Sequence, residues 1–254
     1  MTLNVPNGLL IGRRMVPPLV IDAQRPMLAA AARASGSTQF VGGPSFGFVD
    51  QMQPQMLAAH RLGRQAIKAA WPKLPVGVAL AMIDDQASGP GSLRDAMRQE
   101  FYGDWFAAAR GDDFIGVQNY SRVVWDANGK FPPPAGAVLN DEGEEIHPAS
   151  LANAVPYAHQ SSGCPVLVTE HGVPSANDAL RVALIPQARA ELQRAMDAGT
   201  PVLGYMHWSL LDNFEWVSGC APCYGLAAVD RSNFKRMLKP SAAVLGGIAR
   251  NKAL

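Results

Sequence analysis

Three apolar segments of the sequence end in side chains that can do chemistry. The three side chains are Glu170 after residues 165–169, Tyr120 at the end of 113–120, and Trp208 at the end of 202–208. In parallel α/β folds, reactive groups sit where strands end and loops begin. A carboxylate held there can attack an electrophilic carbon and form a covalent intermediate. A glutamate after an apolar strand is more often a solvated loop residue, so Glu170 by itself is a weak signal.

The segments that would position these residues alternate between helical and extended patterns from about residue 50 onward. Such alternation indicates parallel βα units. Three- and four-residue apolar spacing predicts helices over 54–70, 92–110, 149–159, 183–198 and 241–249. Short apolar runs predict buried strands over 75–81, 113–120, 165–169 and 202–208. Residues 125–148 contain three consecutive prolines and no periodicity, which predicts a loop.

The predicted fold class is α/β, as a single domain over residues 1–254. A closed eight-stranded (β/α) barrel takes about 250 residues, yet the sequence contains only four secure strands. A half barrel leaves edge strands with unpaired backbone groups that can pair with another chain. Residues 1–50 form a poorly determined lead-in, and the Gly- and Ser-rich stretch 35–47 is predicted to be a mobile loop.

The composition points to a small neutral partner. The formal net charge is +1 and there is no long Lys/Arg run, which argues against nucleic-acid or anionic-membrane binding. The first ten residues resemble neither a signal peptide nor a membrane span, and three cysteines do not form a disulfide framework. We therefore expect a cytoplasmic protein.

Four stretches resemble glycoside hydrolase family 1, the β-glucosidase-like enzymes. They are DFIGVQNY (113–120), VTEHG (168–172), WSLLDNFEW (208–216) and KPS (239–241). The nine-residue stretch is the most specific of the four. The resemblance implies an incomplete TIM (β/α)8-type barrel whose parallel strands correspond to about the fourth through eighth. It also implies a retaining β-glycosidase that uses no cofactor and no metal.

The same resemblance assigns roles to individual side chains. Glu170 would be the nucleophile and Tyr120 its hydrogen-bonding support, while substrate would contact Asn4, Gln118, Trp208, Glu215 and Trp216. In such a mechanism a second carboxyl group about 5 Å away protonates the leaving oxygen. As plainer alternatives, the two tryptophans could be core aromatics and Glu215 a capping or surface acid.

The family's proton donor is missing from its expected position. Residues 2–7 read TLNVPN, which is similar to the family's acid/base segment, but Val5 stands where the family has glutamate. A general acid/base is typically worth roughly 10²–10⁴ in rate. Asp84 and Asp85, near the end of the next strand, are the candidates for a substitute. Three further positions differ from the family: His171 replaces an asparagine, Asn119 a tyrosine and Glu144 a tryptophan. These differences affect the expected substrate preference more than the expected reaction class.

Cys220 and Cys223 form a C-x-x-C pair that could be read as a redox or zinc motif. A thioredoxin-like pair should open a helix, whereas Tyr224-Gly225 follows here. A structural zinc ion would need two further ligands, which neither Cys164 nor His207 obviously supplies. We therefore expect no metal; a redox or metal protein is a third reading, which would require bound zinc or a reversible Cys220–Cys223 disulfide.

Two hypotheses remain for the function. In the first, the chain is the C-terminal part of a β-glucosidase-like hydrolase whose site requires a complementary N-terminal half barrel. In the second, it is a catalytically inactive half barrel, a relic or a weak sugar binder, which hides its open edges in a homodimer. The sequence leaves sugar specificity and oligomeric state undetermined.

Overall fold

The computed structural model describes residues 1–40 and 49–251. Within the loop predicted over 35–47, residues 35–40 contain neither helix nor strand, and residues 41–47 lie outside the described residues. The assignment of residues 1–254 to one domain stays a prediction.

A parallel four-stranded sheet forms the centre of the described structure. Its strands lie in the order β1 (Gly77–Ala81), β3 (Phe114–Asn119), β6 (Val166–His171) and β7 (Val202–Tyr205). β1 and β3 are almost entirely buried, as expected for parallel strands covered on both faces. All four predicted strands are confirmed, although β7 ends three residues before Trp208. The fold is α/β, and the barrel is incomplete.

The first residues of the chain lie alongside β1 as a short extended segment. The backbone N–H groups of Thr2 and Val5 donate to the carbonyl oxygens of Gly77 and Ala79, each at 2.9 Å. Asn4 forms a parallel bridge with Ala79. This segment occupies the place of a strand preceding β1, so five extended segments lie side by side, the number that the predicted fourth through eighth strands of a barrel require.

The other edge of the sheet is β7, which pairs with β6 and with no other strand of the described chain. Leu203 is 59% exposed within this strand, and Met206 just after it is 52% exposed. The edge therefore presents apolar side chains next to unpaired backbone groups.

Helices surround the sheet. They are α1 (Gly8–Met15), α2 (Pro18–Ala23), α3 (Arg25–Ala34), α4 (Val49–Ala70), α5 (Arg94–Arg98), α6 (Asp104–Ala109), α7 (Ser150–Ser162), α8 (Asp178–Asp197) and α9 (Pro240–Arg250). The single helix predicted over 92–110 is wrong in detail, because a π-helical turn at Gln99–Gly103 separates α5 from α6. Phe101, Tyr102 and Trp105 of this region are fully buried in the main core. None of the helices in residues 1–40 and 49–251 is long and apolar enough to cross a membrane.

Two small sheets were not predicted. β2 (Asp84–Ala87), β4 (Arg122–Trp125) and β5 (Lys130–Phe131) form one of them, and β5 lies inside the stretch predicted as loop. β8 (Ala227–Asp230) and β9 (Lys235–Leu238) form an antiparallel hairpin before α9. These strands are short and partly exposed, so their apolar pattern is weak.

Candidate active site

The ends of the central strands bring Glu170, Tyr120, Gln118 and Asn4 together. Gln118 and Glu170 are paired across β3 and β6. Tyr120 directly follows β3, and Asn4 lies on the segment beside β1. All four side chains therefore come from the carboxyl end of the sheet, where parallel α/β folds carry their reactive groups.

Glu170 is held by two hydrogen bonds. The Tyr120 hydroxyl donates to its Oε2 at 2.6 Å, and the Asn4 side chain is a second partner. Burial raises the pKa of Glu170, these two hydrogen bonds act against the rise, and the nearby negative charge of Glu215 adds to it. The hydroxyl has a single proton, so its bond to Glu170 orients the carboxylate and leaves Oε1 open to other partners.

Gln118 orients Asn4 in turn. Its Nε2 donates to Asn4 Oδ1 at 2.6 Å, and Gln118 itself is buried. Because Asn4 Oδ1 is occupied, the amide nitrogen of Asn4 is the atom that faces Glu170 as a donor.

Trp208 and Glu215 form the second part of the site. Trp208 Nε1 donates to Glu215 Oε1 at 2.9 Å. The backbone N–H of Trp208 donates to the carbonyl of His171 at 2.9 Å, which fixes the tryptophan to the strand that carries Glu170. Gly172 permits this close approach, since a Cβ there would lie 2.0 Å from the Trp208 carbonyl oxygen.

Trp216 and Val5 stand apart from this bonded group. Trp216 is 77% exposed and has a φ of +43°. Val5 is half-buried, has a φ of +50° and follows Asn4, so its side chain starts next to a residue that contacts Glu170. The roles assigned to both positions stay predictions.

Asp84 and Asp85 are core residues, so the structure speaks against either as a substitute proton donor. Asp85 is 1% exposed, and its two oxygens accept hydrogen bonds from Trp125 Nε1 and the Tyr102 hydroxyl. Asp84 is 2% exposed and accepts from Gln86 and Asn153. Both carboxyls are already committed to bonds inside the protein.

Asp85 should make the stability of the chain depend on pH. Burial raises its pKa to about 6, against hydrogen bonds from Trp125 and Tyr102 that lower it. A carboxyl whose pKa is higher in the folded than in the unfolded state stabilises the fold most below pH 3.8, and this contribution is lost as the pH rises through 6. We expect the free energy of unfolding of D85N minus that of the natural chain to rise by about 3 kcal/mol from pH 3.5 to pH 7. Urea titrations at both pH values test this, and equal differences at both would contradict the assignment.

The three cysteines are free thiols. Within residues 1–40 and 49–251 no group of three or more His, Cys, Asp or Glu side chains is arranged to hold a metal ion. The Cys223 carbonyl accepts hydrogen bonds from the Ser175 backbone and from Arg181, so this loop is tied to the segment after β6.

Two features near the site were missed by sequence reasoning. Tyr224 packs edge-on against Tyr120, with ring centroids 5.6 Å apart, and its hydroxyl donates to Glu142. Tyr205 lies between the buried His171 and the half-buried His207. The sequence offered only a weak signal for either, because their partners are far apart along the chain.

Comparison with known proteins identifies the family. Residues 139–254 match the model of glycosyl hydrolase family 1. The chain is a partial, C-terminal relative of glycosyl hydrolase family 1. Among solved structures, the chain is similar to the apo structure of a β-glucosidase 1317, with 35% identity, a TM-score of 0.88, and coverage of 98% of this chain and 61% of the other. It is also similar to β-glycosidase BGL167, with 37% identity, a TM-score of 0.85, and coverage of 99% and 62%.

Curated relatives match over slightly more than half of the chain. A β-galactosidase of Saccharolobus solfataricus is 34% identical over 157 residues, which are 56% of this chain and 32% of the relative. The galactolipid galactosyltransferase SFR2 of Arabidopsis thaliana is 33% identical over 144 residues, which are 55% of this chain and 23% of the relative. The chain thus spans about a third or less of these curated relatives.

Proposed function

We propose that this chain carries the nucleophile side of a retaining β-glycosidase site. One observation supports the proposal above all: Glu170 is oriented by Tyr120 and Asn4 and faces the charge of Glu215, which is itself bonded to Trp208. A carboxylate beside an apolar indole and further hydrogen-bonding groups is what a sugar ring requires.

The proposed chemistry has two steps. A Glu170 oxygen attacks the anomeric carbon of a β-glycoside, and the bond from that carbon to the aglycone oxygen breaks, leaving its electron pair on the oxygen. Water then attacks the same carbon, releases Glu170 and gives up a proton. Both steps work best with a general acid/base, whose place is taken here by Val5. Aglycones that leave readily as anions are therefore the expected substrates.

The site is proposed to be completed by a polypeptide that supplies the missing parallel strands. Its first strand would pair along β7, whose edge presents Leu203 and its unpaired backbone groups, and its last strand would lie beside residues 2–5. The structural relatives are longer than the region that this chain covers, which supports a covered edge over an edge left open. A homodimer of the chain is the competing arrangement, and a cytoplasmic location stays a prediction.

Covalent trapping tests the proposed nucleophile. The chain is incubated with 2,4-dinitrophenyl 2-deoxy-2-fluoro-β-glucoside, whose leaving group needs no proton, and is then digested for mass spectrometry. We expect one adduct per chain, on the peptide that contains Glu170. E170Q should not be labelled, whereas E191Q, at an acid on the surface of α8, should be labelled like the natural chain. A well-folded chain without an adduct, or an adduct that persists in E170Q, would refute the nucleophile role.

The second candidate function is a sugar-binding half barrel without turnover, which the valine at position 5 favours. In that case a β-glucoside should change tryptophan fluorescence in a saturable manner, and W208A should abolish the change, while the trapping reagent leaves no adduct. Fluorescence titration and mass spectrometry on one preparation separate the two candidates.

A further inference from the structure

Tyr205, His171 and His207 form a partly buried hydrogen-bonded chain next to the proposed nucleophile. The Tyr205 hydroxyl lies 2.8 Å from His171 Nδ1 and 3.2 Å from His207 Nδ1. The tyrosine ring also contacts both imidazoles, with centroids 5.7 and 6.4 Å away. His171 immediately follows Glu170, and His207 immediately precedes Trp208. The three hydrogen-bonded side chains therefore connect the segment that carries Glu170 with the segment that carries Trp208.

The single proton of the tyrosine hydroxyl determines how this chain is bonded. Tyr205 donates to one imidazole and accepts from the Nδ1–H of the other, so the two histidines take opposite tautomers. A proton added to the accepting imidazole would turn its Nδ1 into a donor, so the Tyr205 hydroxyl would lose its acceptor there. With both histidines neutral, the hydroxyl can donate to one ring and accept from the other.

The surroundings keep both histidines neutral. Burial lowers the pKa of His171 to about 3, and the nearby His207 lowers it further. Burial also lowers the pKa of His207 to about 4; Arg181 contributes to this drop, whereas Asp178 opposes it. His207 Nε2 is buried and has no hydrogen-bond partner among the described residues, so a charge on that ring would gain little there.

Tyr205 is the last residue of β7, beside the bonds that join the ends of β6 and β7. The Met206 N–H donates to Val168 and the Trp208 N–H to His171, each at 2.9 Å, and these bonds cross the junction between the strands. We propose that Tyr205 is a positioning residue: by bonding His171 and His207 together, it fixes the ends of β6 and β7 and thereby the placement of Glu170 relative to Trp208. The catalytic consequence rests on the function proposed above, whereas the positioning itself does not.

Four variants separate positioning from general damage. Y205F keeps the ring and removes the hydroxyl. H171L removes the partner of Tyr205, whereas H171N restores a hydrogen-bonding atom close to the position of Nδ1. H159N is the control, since His159 bonds the Cys164 carbonyl at the end of α7, away from the site. If Y205F does not fold, the H171L and H171N pair still tests the proposal.

Hydrogen exchange of the Met206 and Trp208 amides reports on positioning without requiring activity. We expect exchange about tenfold faster or more in Y205F and H171L, near the natural rate in H171N, and unchanged in H159N. The rate of Glu170 labelling at saturating reagent should fall by a similar factor in Y205F and H171L, with little change in the concentration for half-saturation. Unchanged amide exchange in both Y205F and H171L would overturn the proposal. Faster exchange in a chain that is never labelled would support positioning and refute the nucleophile role instead.

Discussion

Replacing Val5 with glutamate is expected to shorten the lifetime of the glycosyl–Glu170 adduct by about 10²–10⁴-fold. Position 5 follows Asn4, whose side chain contacts Glu170, and we expect a carboxylate there to reach the reacting carbon. It would accept a proton from the attacking water, which valine is unable to do. This gain rests on the proposed function.

The backbone conformation at position 5 favours the substitution of valine by glutamate. Val5 adopts a φ of +50°, in the left-handed region that β-branched residues tolerate poorly. Glutamate lacks the branch at Cβ, so V5E should fold at least as well as the natural chain. Val5 Cγ1 also lies only 2.8 Å from where a Cβ on Gly8 would be, so the branch fills the space that the glycine leaves.

The adduct lifetime is measured after the trapping reagent has been removed. Loss of the sugar from Glu170 is followed by mass spectrometry in the natural chain, V5E and V5Q. Azide, an anion that attacks without needing a base, should speed the release from the natural chain and V5Q but add little to V5E. Equal lifetimes for V5E and V5Q would show that position 5 does not reach the reaction centre.

Replacing Arg181 with alanine is expected to lower the free energy of unfolding by about 3–5 kcal/mol. The Arg181 side chain is fully buried, donates to the carbonyls of Val173, Ser175 and Cys223, and pairs with Asp178. Its removal would leave the carbonyls of Val173 and Ser175 without this donor and Asp178 without its cation. Such a loss is a large part of the stability of an ordinary domain.

Urea unfolding of R181A and of R194A measures this effect. Arg194 belongs to the same helix and also pairs with an acid three residues away, but it is 69% exposed. Its loss should cost less than about 0.5 kcal/mol, because exposed ion pairs contribute little. Similar costs for the two variants would mean that the buried guanidinium does not hold the loops together.

The sequence predicts the central sheet well because its strands are buried on both faces. The apolar runs that end at Glu170 and Tyr120 became β6 and β3, and the two side chains meet as expected of neighbouring parallel strands. The WSLLDNFEW stretch likewise led to Trp208 and Glu215, which are bonded to each other.

Features that depend on partners distant in the chain escaped prediction. The helix α8 begins at Asp178, five residues earlier than predicted, because the Asn177 side chain accepts a hydrogen bond from the Ala179 N–H. Asp84 and Asp85 followed an apolar strand as Glu170 does, yet they are buried against aromatic and amide groups that only the folded chain brings near. Nothing in the spacing of Tyr205 from His171 indicated that their side chains would be hydrogen-bonded.

The open edge of β7 has a thermodynamic consequence. A polypeptide that covers this edge binds the folded chain and not the unfolded one, so by mass action it raises the melting temperature in proportion to the logarithm of its concentration. Without it, Leu203 and the free amides beside it remain available to a second molecule of the same chain. Where two copies pair along this edge, dilution lowers the midpoint of thermal unfolding, and the stability of the half barrel is then a property of the solution as well as of the sequence.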